Sequence, residues 1–250
     1  MNNLSKLHVL ILAGGLGKRM KSDLPKVLHK LMGKPMLVRV IETAFSLSPK
    51  KIFLIVGKYE PIIRETLAQY ISLDNIVFVN QTEALGTGHA VQCAIHELLQ
   101  LPKDDKILIL SGDVPLLKED TMKSLFLSNC SVNLLTTIYE NPHGYGRIIT
   151  NDQGHFLKII EEKDCTDEER KVKEVNAGVY SFNVELLRQN LPRISNNNAQ
   201  QEYYLTDIFE IILQHAKIEI GLIKLPKERC LELIGVNTKE QLEELENKLK

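Results

Sequence analysis

The chain has 250 residues, of which 44% are hydrophobic and 25% are charged. That composition is typical of a globular protein and excludes the disordered and collagen-like classes. The 31 basic and 32 acidic side chains leave a net charge of −1, so charge gives no reason to expect a nucleic-acid or membrane-surface partner.

The start of the chain and its cysteines indicate a cytoplasmic protein. The longest apolar run near the start, Val9 to Ala13, is too short to cross a bilayer, and the N-terminal stretch lacks the parts of a secretory signal. The four cysteines are widely spaced and form no C-x-x-C pair. We therefore expect reduced thiols and neither a disulfide framework nor a zinc site.

Short apolar runs alternate with amphipathic stretches through the first half of the chain. This alternation predicts an α/β fold, a Rossmann-like open and mostly parallel sheet with helices on both faces. In such sheets the carboxyl ends of the strands meet at one edge, where ligands bind. The predicted elements, in chain order, are strand Leu7–Ala13, helix Pro35–Leu47, strand Lys51–Gly57, helix Glu60–Ile71, strand Asn75–Gln81, helix Thr87–Leu99, strand Lys106–Ser111, helix Asp120–Leu127 and strand Val132–Tyr139.

After Tyr139 the pattern changes to strands without long helices between them, which predicts a small mixed or antiparallel lobe. We expect a nucleotide-binding half at 1–139, this lobe at about 140–204, a return to the main sheet at 205–237, and a terminal helix at 238–250. The charged stretch Thr166–Lys171 is expected to be a surface turn. The predicted elements are strands Gly144–Thr150, His155–Lys163 and Val172–Phe182, helix Val184–Leu191, a polar loop at Ser195–Gln200, helix Leu205–Ala216, strand Ile218–Leu225 and a helix from Thr238.

Three glycines at 14–17 follow the first strand, Lys18 and Arg19 come directly after them, and Lys26 follows at the end of the stretch Ser22-Asp23-Leu24-Pro25. The stretch fails the dinucleotide fingerprint, which needs glycine at Met20, and fails the P-loop, which needs Ser or Thr at Arg19. Glycines let backbone N–H groups approach a phosphate closely, and three cations nearby suit a triphosphate. The alternative is a tight turn that carries solvated basic side chains.

The stretch from Leu12 to Lys26 resembles the sugar nucleotidylyltransferases, whose pattern is L-x-x-G-x-G-x-R-M followed by P-K. Further motifs extend this over essentially the whole chain, and together they resemble the uridylyltransferase domain of the bacterial bifunctional N-acetylglucosamine-1-phosphate uridylyltransferase/glucosamine-1-phosphate acetyltransferases. These motifs are LGTGHA (Leu85–Ala90), SGDVPLL (Ser111–Leu117), GYGRI (Gly144–Ile148), EVNAGVY (Glu174–Tyr180), NNNAQQEYYLTD (Asn196–Asp207) and GVN (Gly235–Asn237).

The resemblance implies transfer of UMP from UTP to N-acetylglucosamine 1-phosphate, which gives UDP-N-acetylglucosamine and pyrophosphate by in-line attack without a covalent intermediate. It assigns catalysis to Arg19 and Lys26, and binding of Mg²⁺ to Asp113 and Asn237. Cations and a divalent metal suit this chemistry, because two polyanions must be brought together. Small molecules are the only partners it implies.

The resemblance also implies a set of substrate-binding residues, with the base read by Gln81 and the sugar held in the second lobe. Between Glu161 and Glu162, strand alternation should send one side chain to the surface, and the family register favours Glu161 as the ligand. Ser111 stands where the family often has Tyr, so no aromatic ring can pack on the substrate there. The full set is Leu12, Ala13, Gly14, Gly15, Gln81, Gly86, Thr87, Ser111, Gly112, Asp113, Gly146, Glu161, Asn176 and Asn237.

Several alternatives stay open at this point. Gln81 taken alone could be an exposed residue after a strand, and His89 is expected to be structural. Tyr203, Tyr204 and Thr206 could close over the sugar or pack beneath a loop. The enzyme could use another NTP or sugar 1-phosphate, or the chain could be a non-catalytic nucleotide-sugar-binding module.

The C-terminal part of the sequence contains no hexapeptide repeat, so we expect no left-handed β-helix acetyltransferase domain within these residues. Without that trimer-forming domain, a monomer or weak oligomer is expected. Leu242, Leu245 and Leu249 form a stripe at helical spacing, which could pack on the domain or begin a connecting helix.

Overall fold

The computed structural model describes residues 3–15 and 17–250, apart from the side chains of Asn3 and Lys18. The strands are β1 (Leu7–Leu12), β2 (Lys30–Leu31), β3 (Lys34–Pro35), β4 (Ile52–Val56), β5 (Ile76–Asn80), β6 (Lys106–Ser111), β7 (Val132–Ile138), β8 (Arg147–Thr150), β9 (Phe156–Ile160), β10 (Glu174–Asn183) and β11 (Gly221–Lys224). The helices are α1 (Met36–Ser46), α2 (Glu60–Ala68), α3 (Thr87–Gln92), α4 (Ile95–Leu99), α5 (Glu119–Leu127), α6 (Asp167–Arg170), α7 (Val184–Asn190), α8 (Asp207–Ala216) and α9 (Lys239–Leu249).

The central sheet of the described residues follows the order β11-β7-β10-β6-β1-β4-β5. Strand β1 runs parallel to both β4 and β6, and β4 runs parallel to β5. Leu12 at the end of β1 lies in register with Ser111 of β6 and Ile55 of β4. The residues that follow β1, β4, β5 and β6 therefore come together at one edge of the sheet.

Strand β10 joins this sheet to a β8–β9 hairpin. Its second half lies antiparallel between β6 and β7, and its first half pairs with β7 and, at Val175, with Arg147 of β8. The pairing register shifts between Asn176 and Tyr180, where Gly178 has a φ of +69°. Strands β8 and β9, which fall within the range predicted for the second lobe, thus form an antiparallel hairpin that continues the main sheet.

The two faces of the sheet bury separate apolar cores. On β1, Val9 and Ile11 point into the core that includes side chains of α1, α2 and α5, whereas Leu10 points into the core formed with α3, α4, α7 and α8. Because side chains alternate across a strand, one apolar run can supply both cores. This arrangement confirms the predicted α/β fold with helices on both faces.

Helix α9 packs on the domain through a small cluster of its own. Leu31, Met36, Val236 and Leu245 are all buried there, while Leu249 is 40% exposed. The carboxylate of Glu246 also accepts the Met32 backbone N–H at 2.7 Å. Of the two alternatives for the leucine stripe, the structure therefore shows packing on the domain.

Some predicted elements differ in the structure. The single helix predicted over Thr87–Leu99 is divided into α3 and α4, because the Ala94 N–H bonds to Val91, three residues back, and tightens the turn. The expected surface turn at Thr166–Lys171 contains α6, which is begun by a capping box between Thr166 and Glu169. Among the described helices, none has both the length and the apolar character needed to cross a membrane.

Candidate active site

A cavity of about 320 Å³ opens at the edge where β1 and β6 end. Most of the residues predicted to bind the nucleotide line it, together with Val27, Ala84, Ala90 and Glu202, which the motif analysis did not select. Glu202 lies inside the NNNAQQEYYLTD motif, which could have pointed to it. The predicted residues that line the cavity are Leu12, Ala13, Gly14, Gly15, Lys26, Gln81, Gly86, Thr87, Ser111 and Asp113.

Two glycines let neighbouring segments approach each other closely at this edge. The Gly112 N–H donates to the Leu12 carbonyl at 2.9 Å, and a Cβ on Gly112 would lie 3.1 Å from the same oxygen. A Cβ on Gly14 would lie 2.9 Å from Oε1 of Gln81. Contacts this short leave little room for a side chain at either position.

A cluster of two cations and two oxygen ligands borders the cavity. The ammonium group of Lys26 donates to the Asp113 carboxylate and, at 2.9 Å, to Oδ1 of Asn237. Arg19 donates to the same Oδ1 at 3.0 Å. The structure thus brings together the four residues predicted for catalysis and metal binding. The side chain of Lys18, the third predicted cation, lies outside the described part of the chain.

The backbone around each member explains how the cluster forms. Lys26 begins a short 3-10 turn whose next residues, Val27 and Leu28, are buried and anchor it. Asp113 follows β6, and its carbonyl accepts the Val236 N–H at 2.9 Å, which draws the segment before α9 to the end of β6. Asn237 therefore meets Lys26 although 211 positions separate them.

The oxygens of Asp113 and Asn237 suit a small divalent cation. Both contact the single ammonium group of Lys26, so one positive ion can reach both ligands at once. Within the described ranges, no three His, Cys, Asp or Glu side chains converge as a metal cluster. An ion held here would have one carboxylate and one amide from the protein, which fits the preference of Mg²⁺ for oxygen and for keeping water or phosphate ligands.

Gln81 is buried, with 7% of its surface exposed, so the alternative of an exposed residue after a strand is wrong. Its backbone N–H donates to the Val56 carbonyl at 2.7 Å. Its side-chain nitrogen lies 3.2 Å from both the Gly86 carbonyl and Nδ1 of His89. The side chain therefore connects the end of β5 to the turn that begins α3.

That turn is held by the segment before α8. Gly86 has a φ of +115°, and a Cβ there would lie 2.5 Å from the Tyr203 carbonyl oxygen. The same oxygen accepts the Gly88 N–H at 2.7 Å, and the Leu205 N–H donates to the Thr87 hydroxyl at 3.1 Å. Tyr203 thus acts through its backbone, which the residue pattern did not indicate.

The residues predicted to bind the sugar are Gly146, Glu161 and Asn176. They lie close together and are not part of the lining of the nucleotide cavity. A Cβ on Gly146 would lie 3.5 Å from the Glu161 carboxylate and 3.6 Å from Cβ of Asn176. The Asn176 side chain donates to the Tyr180 hydroxyl at 2.8 Å, and its Oδ1 accepts the Gly178 N–H at 3.1 Å. Gly146 therefore leaves room between the two polar side chains.

The Glu161 carboxylate is held in an unusual environment. Burial raises the pKa of Glu161, and a hydrogen bond of 2.8 Å from the Thr206 hydroxyl opposes that shift. Burial, with the neighbouring charges of Glu161, Glu210 and Asp164, raises the pKa of Asp207 to about 6. Thr206 is thus a partner of Glu161, which the sequence alone left open.

The expected alternation of Glu161 and Glu162 is wrong, because β9 ends at Ile160 and a 3-10 turn follows it. Glu162 is not a free surface residue. Its carboxylate accepts from Arg147 at 2.7 Å and from the Gly144 N–H at 3.0 Å. Burial alone would raise the pKa of Glu162, but these partners lower it. Glu162 therefore fixes the start of the hairpin.

The chain is similar to curated proteins over almost its whole length. A probable UDP-N-acetylglucosamine pyrophosphorylase of Acanthamoeba polyphaga mimivirus is 45% identical over 246 residues, which cover 97% of this chain and 96% of that protein. The bifunctional protein GlmU of Marinobacter nauticus is 44% identical over 245 residues, covering 97% and 52% of the two chains. The bifunctional protein GlmU of Clostridium acetobutylicum is 44% identical over 237 residues, covering 93% and 50%. The chain thus spans about half the length of these bifunctional relatives.

Solved structures share the fold at low sequence identity. The inositol-1-phosphate CTP transferase from T. maritima superposes with a TM-score of 0.72 at 15% identity, covering 97% of this chain and 96% of that one. HddC from Yersinia pseudotuberculosis has a TM-score of 0.68 at 21% identity, covering 97% and 99%. At such identities the likeness concerns the fold alone.

The family follows from the sequence matches. Residues 9–161, more than half of the chain, match the model of the MobA-like NTP transferase domain. Together with the identities to the curated relatives, this match confirms the resemblance that the motifs predicted. The chain therefore belongs to the MobA-like NTP transferase family and is a nucleotidyltransferase.

Proposed function

We propose that this chain transfers UMP from UTP to N-acetylglucosamine 1-phosphate, giving UDP-N-acetylglucosamine and pyrophosphate. The observation that carries the proposal is the meeting of Arg19, Lys26, Asp113 and Asn237 beside the cavity at the ends of β1 and β6. The similarity to a probable UDP-N-acetylglucosamine pyrophosphorylase over 97% of the chain supports the choice of base and sugar.

The reaction needs cations more than it needs a general base. A phosphate oxygen of the sugar phosphate is already anionic, and it forms a bond to the α-phosphorus of UTP as the bond to the departing pyrophosphate breaks. Arg19 can grip phosphate oxygens with two N–H groups, and Lys26 can place a point charge at the α-phosphate. These side chains would align the two anions and stabilise the charge that develops on the leaving group.

Asp113 and Asn237 would hold Mg²⁺ in this scheme. An ion held by these two oxygens would supply positive charge against the phosphate groups of the substrates. Asn237→Ala removes one of the two protein ligands but leaves the backbone contacts that position the segment. We expect this variant to need more Mg²⁺ for half-maximal turnover at an unchanged unfolding temperature. Full turnover at low Mg²⁺ would refute the ligand assignment.

The remaining assignments divide the site into a base end and a sugar end. At the base end, Gln81 and the turn at Gly86 and Thr87 would face the uracil, while backbone from Leu12 to Gly15 would lie against the base and ribose. Ser111 and Gly112 would contribute backbone and a small hydroxyl near the sugar phosphate. At the sugar end, Glu161 and Asn176 would hydrogen-bond sugar hydroxyls or the acetamide, in the room that Gly146 leaves.

A panel of four NTPs against several sugar 1-phosphates, read as pyrophosphate release with and without Mg²⁺, tests the proposal. We expect turnover with UTP and N-acetylglucosamine 1-phosphate only when Mg²⁺ is present. Turnover with another pair, and none with UTP and N-acetylglucosamine 1-phosphate, would show that the assigned substrates are wrong. Binding of the nucleotide sugar without pyrophosphate release from any pair would instead indicate a non-catalytic module.

Two variants connect the reaction to the cluster. Asp113→Ala should abolish metal-dependent release, and Lys26→Met should lower kcat by about 10²–10³-fold, the usual loss for one preorganised donor. Lys171→Met is the matched control, because the side chain of this lysine is 69% exposed and forms an ion pair with Glu168 on the surface helix α6. If kcat falls equally in the Lys26 and Lys171 variants, Lys26 has no specific role in catalysis.

A further inference from the structure

We propose that His89 is a positioning residue that fixes the side-chain amide of Gln81 and so makes the cavity accept uracil and reject cytosine. The proposal rests on the proposed function in one respect, that the base end of the cavity binds a pyrimidine nucleotide. It adds a residue that does not touch the reacting atoms and that acts through another side chain. Three observations on the Gln81 side chain carry it, two contacts of its nitrogen and the position of its oxygen.

The first contact determines which way the Gln81 amide is turned. The side-chain nitrogen lies 3.2 Å from the Gly86 carbonyl oxygen. A carbonyl oxygen can only accept a hydrogen bond, so the NH₂ group of Gln81 must face it. The turn that carries this carbonyl is itself fixed, because Gly86 and Gly88 lie against the Tyr203 backbone. One N–H of Gln81 is therefore used.

The second contact uses the other N–H. The same nitrogen lies 3.2 Å from Nδ1 of His89. Because Gln81 donates, Nδ1 must accept, and the neutral imidazole then carries its proton on Nε2. Nε2 lies 4.0 Å from Sγ of Cys93, which can accept a weak hydrogen bond from the Nε2 N–H. The tautomer of His89 thus follows from the direction of the Gln81 amide, and Cys93 is only a weak partner of Nε2.

The third observation concerns Oε1, the side-chain oxygen of Gln81. Oε1 of Gln81 lies on the side of Gly14, where an added Cβ would come within 2.9 Å of it. Gln81 lines the cavity, and within the described residues no donor is found for Oε1. The cavity therefore presents a hydrogen-bond acceptor at this point.

An acceptor in this position distinguishes the two pyrimidines. The ring edge of uracil carries an N–H at N3, whereas N3 of cytosine carries a lone pair. Cytosine would place that lone pair against Oε1, and a site that leaves a buried polar group unpaired discriminates strongly. Turning the Gln81 amide over would admit cytosine, but it would place Oε1 against the Gly86 carbonyl and, while the His89 proton stays on Nε2, against the bare Nδ1 of His89. Removing His89 takes away one of these two penalties.

The test compares kcat/KM for UTP and CTP in the full chain, with wild type, His89→Leu, His89→Asn and Cys93→Ala. The leucine variant should lower the UTP-to-CTP ratio by roughly three- to tenfold, the scale of one hydrogen bond, mainly through a higher kcat/KM for CTP, because the turned amide that admits cytosine loses one of its two penalties. In the asparagine variant Oδ1 can replace Nδ1 as the acceptor, so the ratio should stay near that of wild type. Cys93→Ala keeps Nδ1 and should also keep the ratio.

The outcomes separate the possible roles. A leucine variant that loses activity equally with UTP and CTP would overturn the proposal, since a purely structural histidine predicts an unchanged ratio. A ratio in the asparagine variant as low as in the leucine variant would overturn it too. The measurement on the wild type tests the proposed function separately. If wild type does not prefer UTP to CTP, the proposed function is contradicted, whatever the variants show.

A second measurement needs no variant. Nitrogen-15 NMR of the wild-type histidines distinguishes a bare from a protonated ring nitrogen. We expect His89 to show a bare Nδ1 and a protonated Nε2 at neutral pH. A proton on Nδ1 would exclude the hydrogen bond from Gln81 and overturn the inference even if the leucine variant fails to fold.

Discussion

Replacing Thr206 by valine should weaken use of the sugar phosphate and leave use of the nucleotide unchanged. Thr206 is buried, and its hydroxyl donates to Glu161 at 2.8 Å. Valine keeps the shape of the side chain but cannot donate. A hydrogen bond to a charged group contributes about 1.5–3 kcal/mol, so kcat/KM for the sugar phosphate should fall by about 10- to 100-fold.

The same variant should shift the pH profile in a definite direction. Burial raises the pKa of Glu161, and the bond from Thr206 lowers it. Without that bond the pKa rises further, so a smaller fraction of Glu161 is ionised at a given pH. If the ionised carboxylate accepts the sugar hydroxyls, the acidic limb of kcat/KM must move to higher pH in Thr206→Val.

The assay measures pyrophosphate release at saturating UTP and Mg²⁺. The concentration of the sugar phosphate is varied at each of several pH values, from acidic to mildly alkaline. Thr206→Ser is the matched control, because it keeps the hydroxyl and should retain both the KM and the pH profile of wild type. A valine variant with the wild-type KM for the sugar phosphate and an unmoved acidic limb would refute the role given to Glu161.

Two stability predictions follow from packing. Gly86→Ala forces a Cβ within 2.5 Å of the Tyr203 carbonyl at a φ of +115°, which should cost at least about 2 kcal/mol and lower Tm by about 4–8 °C. Gly15→Ala, with nothing within 4 Å of its Cβ, is the control, and an equal Tm for the two variants would contradict the close approach. Leu245→Ala should lower the free energy of unfolding in urea by about 2–5 kcal/mol because this side chain is buried against Leu31. Leu249→Ala, at a residue 40% exposed, should change it by less than about 0.5 kcal/mol, and similar losses in both would mean that α9 is not docked as described.

The parallel half of the fold could be predicted because its signals are local. Each buried strand is a continuous apolar run, and each helix carries a one-sided apolar stripe. The two-residue strands Lys30–Leu31 and Lys34–Pro35 are too short to show any period. Strand β10 could be located but not its change of partners, because β8, which pairs with its first half, and β6, which pairs with its second half, are distant in sequence.

The sequence predicted which residues form the candidate site but not which of them contact one another. Glycine spacing and charge selected Arg19 and Lys26, and the resemblance added Asp113 and Asn237, but nothing local shows that Lys26 contacts both oxygens. Interpreting Glu162 by strand alternation was wrong because the end of β9 could not be placed to one residue. His89 contacts Gln81 and Thr206 contacts Glu161, and no motif marks these partners.

The 211 positions between Lys26 and Asn237 have a consequence for how the protein is made. Chains are synthesised from the N-terminus, and domains begin to fold as they emerge. The parallel strands β1, β4, β5 and β6 can pair early, but Lys26 has no Asn237 to contact until the segment before α9 leaves the ribosome. A chain that stalls before that point would have most of its sheet but an incomplete cation cluster, so the cluster is among the last parts of the site to form.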